Sequence, residues 1–345
     1  MGDCPIMTKI VRTDCELECP ILDAALCEMG ADLVLLPDGI GEDDLTAAMR
    51  DADLLLMCYT PVTARVIAGA QVLKGIVKYG VGIDAIDMEA GKARHIPVVN
   101  IPQYAERTVA EGAFCLMIAL ARKLIPIERA MQSKGWIWPT EMWRGSDICG
   151  KTVGLVGAGR IGLAMARLAG AGFGAHVIGY DPNVPGDIMR AAGIEPFADL
   201  GALMAESDFV SVHCVLNAQT RHLVGPAEIA AMKPSAFLIN VSRGAIVDET
   251  ALLDALQERR IAGAGLDVYG REPLSRTGHP LSRLYDMDNV IVLPHLTFFT
   301  DEAMERLERE TLARCLEILE GRDVLVKSRD PRLRGQTHGV FFSSD

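Results

Sequence analysis

The chain has 345 residues, of which 50% are apolar, and a formal net charge of −12 at pH 7. This length and composition allow one large domain or two medium-sized ones, and the negative charge argues against general binding to nucleic acid. We expect no membrane span, no metal and a cytoplasmic location. These expectations rest on the absence of a long uncharged apolar run, on nine scattered cysteines without zinc-site spacing, and on an N-terminus, Met1–Ile10, that is unlike a secretory signal.

The first part of the chain alternates short apolar runs with helix-like segments, a pattern that indicates βαβ units and a parallel sheet. Helices are predicted at Cys19–Met29 and Asp43–Asp51, followed by a long apolar-rich helix at Thr108–Leu124. The strands of this part are predicted at Lys9–Arg12, Asp32–Leu36, Leu54–Met57, Gly75–Tyr79 and Val98–Asn100.

The segment Met131–Gly150 interrupts this alternation and holds all three tryptophans, Trp136, Trp138 and Trp143. Loops of this length inside a domain are usually functional or interfacial, and tryptophan is enriched at interfaces. Two interpretations remain open for the segment. It is either an arm that contacts a second subunit or a loop packed on its own domain.

A second series of strands has the pattern of a doubly wound sheet. An amphipathic helix is predicted at Asp301–Gly321 and should pack back on the first part of the chain. The mixed-charge stretch Arg322–Asp345 is interpreted as a peripheral tail. The strands of this second series are predicted at Thr152–Val156, His176–Tyr180, Phe209–His213, Ala236–Asn240, Gly263–Asp267 and Val290–Leu293.

A glycine-rich loop joins the first strand of this series to a helix. The buried-strand pattern Thr152–Val156 runs directly into Gly157-Ala-Gly-Arg-Ile-Gly162, and a helical segment follows. Strand, G-x-G-x-x-G and helix in this order are the fingerprint of a dinucleotide site, in which the glycines admit the pyrophosphate and the helix start donates N–H groups. The loop therefore predicts dinucleotide binding.

Asp181 lies directly after the next strand, 19 residues beyond Gly162. A carboxylate at this place binds the adenosine ribose hydroxyls. It would repel a 2′-phosphate, and no Arg or Lys follows before Arg190. We therefore expect NAD as the cofactor in preference to NADP.

Three charged or titratable residues follow later strands of the same series. Arg243, Glu272 and His295 come just after the strands that end near Asn240, Asp267 and Leu293. Ligands of open α/β sheets bind at the carboxyl ends of the strands. There, His can exchange a proton with an alcohol or a carbonyl, Glu can orient the imidazole, and Arg can polarise a carbonyl oxygen. Beside a nicotinamide, these three side chains predict hydride-transfer chemistry.

With these motifs, the sequence resembles the D-isomer-specific 2-hydroxyacid dehydrogenase family, and more particularly its phosphoglycerate dehydrogenase-like members. The resemblance covers nearly the whole chain. It rests on Lys78-Tyr-Gly-Val-Gly-Ile-Asp84, Thr108-Val-Ala-Glu111, the loop Gly157–Gly162, Asn240–Gly244, Gly265–Pro273 and Pro294-His295.

The resemblance implies an α/β protein with two doubly wound parallel-sheet domains, a Rossmann cofactor domain being inserted in a flavodoxin-like substrate domain. Residues 1–104 and 297–345 would form the substrate domain, and residues 105–296 the NAD-binding domain. The active site would lie in the cleft between them. The family is usually dimeric through the cofactor domain, which favours the first interpretation of the tryptophan segment.

The resemblance also implies roles for individual residues. His295 would be the general acid/base, Glu272 its partner and Arg243 the cation that orients the substrate. The amides of Val81 and Gly82 would bind the substrate carboxylate. The residues implied to line the cofactor, with Asp267 near the nicotinamide carboxamide, are Thr108, Gly157, Gly159, Arg160, Ile161, Gly162, Asp181, Cys214, Thr220, Val241 and Asp267.

Three segments depart from the family pattern. His213-Cys-Val215 lacks a proline that is common there, and Leu296-Thr-Phe-Phe299 is bulky where small residues are common. Cys58-Tyr-Thr-Pro61 stands where the phosphoglycerate branch carries an Arg, which weakens the case for a phosphorylated substrate.

The resemblance implies reversible hydride transfer between NAD(H) and a D-2-hydroxy acid or 2-keto acid. The alternative is an NADH-sensing, corepressor-like binding protein of the same fold.

Overall fold

The computed structural model describes residues 7–343. The first six residues of the N-terminal segment Met1–Ile10 lie outside the described residues. The N-terminal part of the chain forms a five-stranded sheet. All strands pair in parallel, in the order β2-β1-β3-β4-β5, which is the flavodoxin-like order. The strands are β1 (Lys9–Arg12), β2 (Asp32–Leu35), β3 (Leu54–Met57), β4 (Gly75–Lys78) and β5 (Val98–Asn100), and the helices between them are α1 (Pro20–Glu28), α2 (Glu42–Ala48), α3 (Ala64–Gly69) and α4 (Met88–Ala93).

A seven-stranded parallel sheet follows, in the order β12-β11-β10-β9-β6-β7-β8. Its strands are β6 (Thr152–Val156), β7 (His176–Tyr180), β8 (Glu195–Pro196), β9 (Phe209–Val212), β10 (Phe237–Asn240), β11 (Gly263–Leu266) and β12 (Val290–Val292). Its helices are α5 (Glu106–Ala121), α6 (Leu124–Lys134), α7 (Arg160–Ala166), α8 (Gly186–Ala191), α9 (Leu200–Glu206), α10 (Pro226–Ala231) and α11 (Glu249–Gln257). The order changes direction at β6, which is the switch point where doubly wound sheets bind ligands.

The chain ends with a long helix and a small two-stranded sheet. Thr300 caps the helix by accepting a hydrogen bond from the Ala303 N–H, and Glu308 on the helix accepts one from Leu22 N at 2.9 Å. This bond connects the helix to α1. The last elements are α12 (Asp301–Leu319), β13 (Val324–Val326), α13 (Pro331–Arg334) and β14 (Val340–Phe342).

The described residues divide into two compact units. The first unit contains the residues up to 105 and those from 300 onward, and the second unit is Glu106–Phe299. In the second unit, apolar side chains cover both faces of the sheet. Ala113 and Met117 of α5 share one core cluster with Leu155, and α11 contributes Leu252 and Leu256 to the other cluster.

The prediction of two doubly wound parallel sheets, one flavodoxin-like and one Rossmann-like, is confirmed. Two local predictions are wrong. The segment Met131–Gly150 is not wholly a loop, because α6 continues to Lys134. The stretch after Arg322 is not peripheral, because Val324, Val326 and Leu333 have no exposed surface. Between residues 7 and 343, no helix combines the length and apolarity that crossing a membrane requires.

Candidate active site

The glycine loop has the geometry that its sequence predicts. Gly157 follows β6 with φ +103°, a value that side-chain-bearing residues rarely adopt, and its N–H donates to Tyr180 O at 2.9 Å. A Cβ on Gly162 would lie 2.2 Å from the carbonyl oxygen of Gly157. Glycine is therefore required at both ends of the loop for α7 to start so close to the strand.

The loop leaves space and donors for a pyrophosphate. A Cβ built on Gly159 would meet no atom within 4 Å, so a ligand can approach the backbone there. Within residues 7–343, the N–H groups of Arg160 and Ile161 have no hydrogen-bond acceptor. Open space beside unsatisfied N–H groups at a helix start fits the phosphates of a dinucleotide.

Asp181 is fixed beside this loop by two backbone donors. Its carboxylate accepts hydrogen bonds from Ala158 N at 3.0 Å and from Asn183 N at 2.9 Å. One carboxylate has about four lone-pair sites, so Asp181 keeps capacity to bind two ribose hydroxyls. Its bond to Ala158 also joins it directly to the glycine loop.

The loops after β9 and β10 are joined to each other at the same sheet edge. Ser242 Oγ donates to the backbone oxygen of Cys214. Thr220 Oγ1 donates to Val215 O at 2.6 Å and thereby closes the loop after β9. Val241 is buried after β10. Thr108 is buried on α5 of the same unit.

His213 is a buried histidine of this region that the sequence did not mark as a site residue. Its Nε2 lies 2.8 Å from Ser211 Oγ, and burial lowers its pKa to about 4. Its Nδ1 has no hydrogen-bond partner within the described chain. The ring is therefore neutral near pH 7 and lies directly before Cys214. Its place at the carboxyl end of a buried strand is the signal that could have found it.

Glu272 and His295 form a hydrogen-bonded pair. Glu272 Oε2 lies 2.9 Å from His295 Nδ1, and Glu272 Oε1 accepts a hydrogen bond from Tyr269 N at 2.9 Å. Burial acts to raise the pKa of Glu272, but the hydrogen bond and charge of His295 outweigh it, and the net shift is downward. Glu272 is therefore an anion at neutral pH, and it directs Nε2 of the imidazole away from itself.

Arg243 lies close enough to this pair to act on it electrostatically. Its charge contributes to the lowered pKa of Glu272. Asn240 shapes the turn that carries it, because Asn240 Nδ2 donates to Arg243 O at 3.0 Å and Asn240 Oδ1 accepts from Ser242 N at 3.1 Å. The predicted triad of Arg243, Glu272 and His295 is thus brought together within the second unit.

Asp267 has a structural contact that the sequence did not predict. The side chain has no exposed surface. Its carboxylate accepts hydrogen bonds from Leu296 N at 2.8 Å and from Thr297 N at 2.9 Å. It therefore binds the backbone that follows His295. Its predicted contact with the nicotinamide carboxamide stays a prediction.

Val81 and Gly82 belong to the first unit, in the loop after β4. Their N–H groups have no acceptor among residues 7–343, and Val81 is 44% exposed. The carbonyl oxygens of Gly80 and Val81 are engaged, by Ile101 N at 3.0 Å and by Asn100 Nδ2 at 2.5 Å. The loop is thus fixed through its carbonyls and leaves two donors available to an anion.

A doubly wound sheet with this loop and with an acidic residue after the second strand defines a dinucleotide-binding protein. Residues 114–297 match the family model described as D-isomer specific 2-hydroxyacid dehydrogenase, NAD binding domain. The chain belongs to this family, and its cofactor is NAD.

Two curated relatives are similar over most of the chain. It is 38% identical to the D-3-phosphoglycerate dehydrogenase of Methanocaldococcus jannaschii over 319 residues, which are 91% of this chain and 58% of that protein. It is also 38% identical to the glyoxylate reductase of Korarchaeum cryptofilum over 262 residues, which are 75% of this chain and 77% of that protein. The chain thus spans little more than half the length of the first relative.

A solved structure with bound ligands has the same fold. The D-lactate dehydrogenase of Aquifex aeolicus, complexed with NAD and lactic acid, superimposes with a TM-score of 0.80 at 27% identity. The match covers 95% of this chain and 98% of that one. Among residues 7–343, no group of three or more His, Cys, Asp or Glu side chains could hold a metal ion.

Proposed function

We propose that the protein catalyses reversible hydride transfer between NAD(H) and a D-2-hydroxy acid or its 2-keto acid. The observation that carries this proposal is the 2.9 Å contact between Glu272 and His295, in the same unit as the glycine loop and Asp181. An imidazole oriented by a carboxylate is suited to general acid/base catalysis, and the loop fits the cofactor.

Each residue then has a chemical task. Bound NADH supplies the hydride for C2 of the keto acid. His295 gives its proton to the C2 oxygen, so that the carbonyl becomes a hydroxyl, and takes a proton back in the oxidative direction. Arg243 polarises the carbonyl and binds the adjacent carboxylate. Glu272 keeps the imidazole oriented through its contact with Nδ1. The N–H groups of Val81 and Gly82 bind the substrate carboxylate.

The loop after β3 supports a substrate without a phosphate group. It has Cys58-Tyr-Thr-Pro61 and no arginine. The lysine beside it, Lys78, is only 5% exposed, and its Nζ donates to Cys58 O at 2.6 Å. This cation is therefore engaged inside the first unit. We assign to the protein small 2-keto acids without a phosphate, such as glyoxylate or pyruvate.

The decisive measurement is NADH oxidation with a panel of 2-keto acids that includes a phosphorylated one. The wild type should turn over at least one unphosphorylated keto acid. His295→Ala should abolish turnover but bind NADH as the parent does. The matched control is His176→Ala, which removes an exposed histidine that also contacts a glutamate at 2.9 Å. Equal activity of His295→Ala and the parent would refute the assignment.

The same panel tests the binding-protein alternative. Tight NADH binding without turnover of any keto acid would favour it. The relatives named above lend it no support, because they are named as dehydrogenases and reductases. A cytoplasmic location is part of the proposal, since this reaction uses the intracellular NAD pool.

We further propose a homodimer formed through the second unit. Trp136 and Trp138 are 72% and 74% exposed, and Met142 is 64% exposed. The rings of Trp136 and Trp138 pack edge to face with their centroids 6.3 Å apart, and contiguous exposed apolar side chains mark interfaces more often than isolated ones do. Light scattering should show a dimer for the wild type and a monomer for the double variant Trp136→Ser/Trp138→Ser. Met29→Ser, at another exposed apolar position, is the control and should remain dimeric.

A further inference from the structure

The C-terminal tail, residues 322–343, is an integral part of the first unit. Val324 and Val326 of β13 and Leu333 of α13 have no exposed surface. Arg334 fastens the tail internally, because its Nε donates to Ser328 O at 2.8 Å and its NH2 to Ser343 O at 3.1 Å. Because the tail is ordered and buried, it can fix the positions of the elements that it contacts.

The first contact is between Gln336 and the edge strand β5. Gln336 is 5% exposed. Its Oε1 accepts from Val98 N at 2.7 Å, and its Nε2 donates to Val98 O at 2.8 Å. One side-chain amide thus satisfies both outward-facing backbone groups of Val98, as a neighbouring strand would. Without it, two backbone groups at the sheet edge would lose their partners.

The strand that Gln336 covers is the one that fixes the loop after β4. Asn100, the last residue of β5, donates from Nδ2 to Val81 O at 2.5 Å. Ile101, the next residue, donates from its N–H to Gly80 O at 3.0 Å. The tail and the loop are therefore bonded to the same short strand, the tail at Val98 and the loop at Asn100 and the residue after it.

The second contact joins the tail to the other end of the same loop. Arg332 of α13 places NH1 3.3 Å and NH2 3.4 Å from Asp84 Oδ1. The guanidinium is oriented by Asp330, whose carboxylate lies 2.7 Å from NH2. Asp84 is the last residue of the motif Lys78–Asp84. The loop is therefore connected to the tail at both of its ends.

We propose that Arg332 and Gln336 are positioning residues that keep the loop Gly80–Asp84 in its anion-binding form. This inference rests on the proposed function, in which the N–H groups of Val81 and Gly82 bind the substrate carboxylate. Neither tail residue touches the loop's N–H groups. They act by fixing the carbonyl oxygens on the opposite side of the loop backbone and the carboxylate of Asp84 at its end. The N–H groups of Val81 and Gly82 then remain directed away from the strand.

The test compares Arg332→Ala with Arg332→Lys and with Arg329→Ala. Arg332 is partly exposed, so its loss should leave the fold intact. Arg329 is an exposed arginine of the same tail. We expect Arg332→Ala to raise KM for the keto acid about threefold, as loss of a partly exposed ion pair does, with kcat and the Kd of NADH unchanged. Arg332→Lys should restore part of the loss.

Hydrogen exchange of the loop amides gives a readout that does not depend on activity. The peptides that cover Gly80–Asp84 should exchange faster in Arg332→Ala than in Arg329→Ala, and faster still when Gln336→Ala is added. Loop exchange and KM equal to those of the control would overturn the inference. If the wild type reduces no 2-keto acid, the proposed function fails on its own. Faster loop exchange in Arg332→Ala would then still support the coupling between tail and loop.

Discussion

The side chain of Asp267 binds Thr297 twice, accepting the backbone N–H at 2.9 Å and the hydroxyl at 2.6 Å. Asp267 directly follows β11, and Thr297 stands two residues after His295. Between them, His295 has φ +60°, a left-handed backbone conformation that is unfavourable for a residue with a side chain. The pair therefore stabilises the strained turn that presents the imidazole.

Replacing Asp267 should impair both stability and turnover. In Asp267→Ala, three donors lose their acceptor: the part-buried Leu296 N and the two buried donors of Thr297. Each buried group left unsatisfied costs about 1–3 kcal/mol. We expect a loss of about 2–4 kcal/mol in the free energy of unfolding and at least a tenfold fall in kcat. Urea denaturation and NADH oxidation measure the two effects. Thr297→Ser keeps the hydroxyl and should resemble the parent, and an unaltered kcat in Asp267→Ala would contradict this role.

Asp181 should determine the choice between NADH and NADPH. Its carboxylate, fixed by Ala158 and Asn183, would face the 2′-phosphate of NADPH with a like charge. Replacing it by serine removes that repulsion and keeps a hydroxyl for the ribose. We expect the ratio of kcat/KM for NADH to that for NADPH to fall about tenfold or more, about 1.4 kcal/mol. Asp187→Ser, at an exposed position on α8, is the control, and a ratio unmoved by Asp181→Ser would exclude this role.

The sequence was sufficient for the features that depend on local pattern. Buried parallel strands are short apolar runs, and the run Thr152–Val156 matches β6 residue for residue. The glycine loop is recognisable because Gly157 and Gly162 are required by backbone geometry that few other residues allow. Arg243, Glu272 and His295 could be grouped because parallel strands bring their carboxyl ends to one edge.

Features that depend on contacts distant in sequence could not be predicted in this way. Gln336 and Val98 are 238 residues apart, and nothing in the polar composition of the tail indicates that its amide completes a sheet edge. The two-residue strand Glu195–Pro196 is too short to show an alternating pattern. The contact of Asp267 with Thr297 was missed because a carboxylate after a strand was interpreted as a cofactor ligand.

Glu272→Gln should slow keto-acid reduction. The carboxylate of Glu272, whose pKa lies below its usual value, remains charged through the neutral range and holds Nδ1 of His295 at 2.9 Å. A neutral amide makes a weaker hydrogen bond than a carboxylate, so the imidazole is held less firmly, and kcat should fall about tenfold, or about 1.4 kcal/mol, with NADH binding as in the parent. Glu195→Gln, which alters the exposed pair with His176, should leave kcat unchanged. A kcat in Glu272→Gln equal to that of the parent would contradict the pairing.

The buried imidazole of His213 should make the folded protein sensitive to acid. Burial lowers its pKa from 6.5 to about 4, so below pH 6.5 the unfolded chain takes up a proton that the folded chain does not. Stability contributed by the neutral ring is then lost progressively as the pH falls from about 6.5 to about 4, by at most about 3 kcal/mol. His213→Asn retains a polar group toward Ser211 but cannot titrate, so its urea midpoint should fall less over this range. The exposed His176→Asn should follow the parent. If the midpoints of the parent and His213→Asn run parallel with pH, another group is responsible for the acid sensitivity.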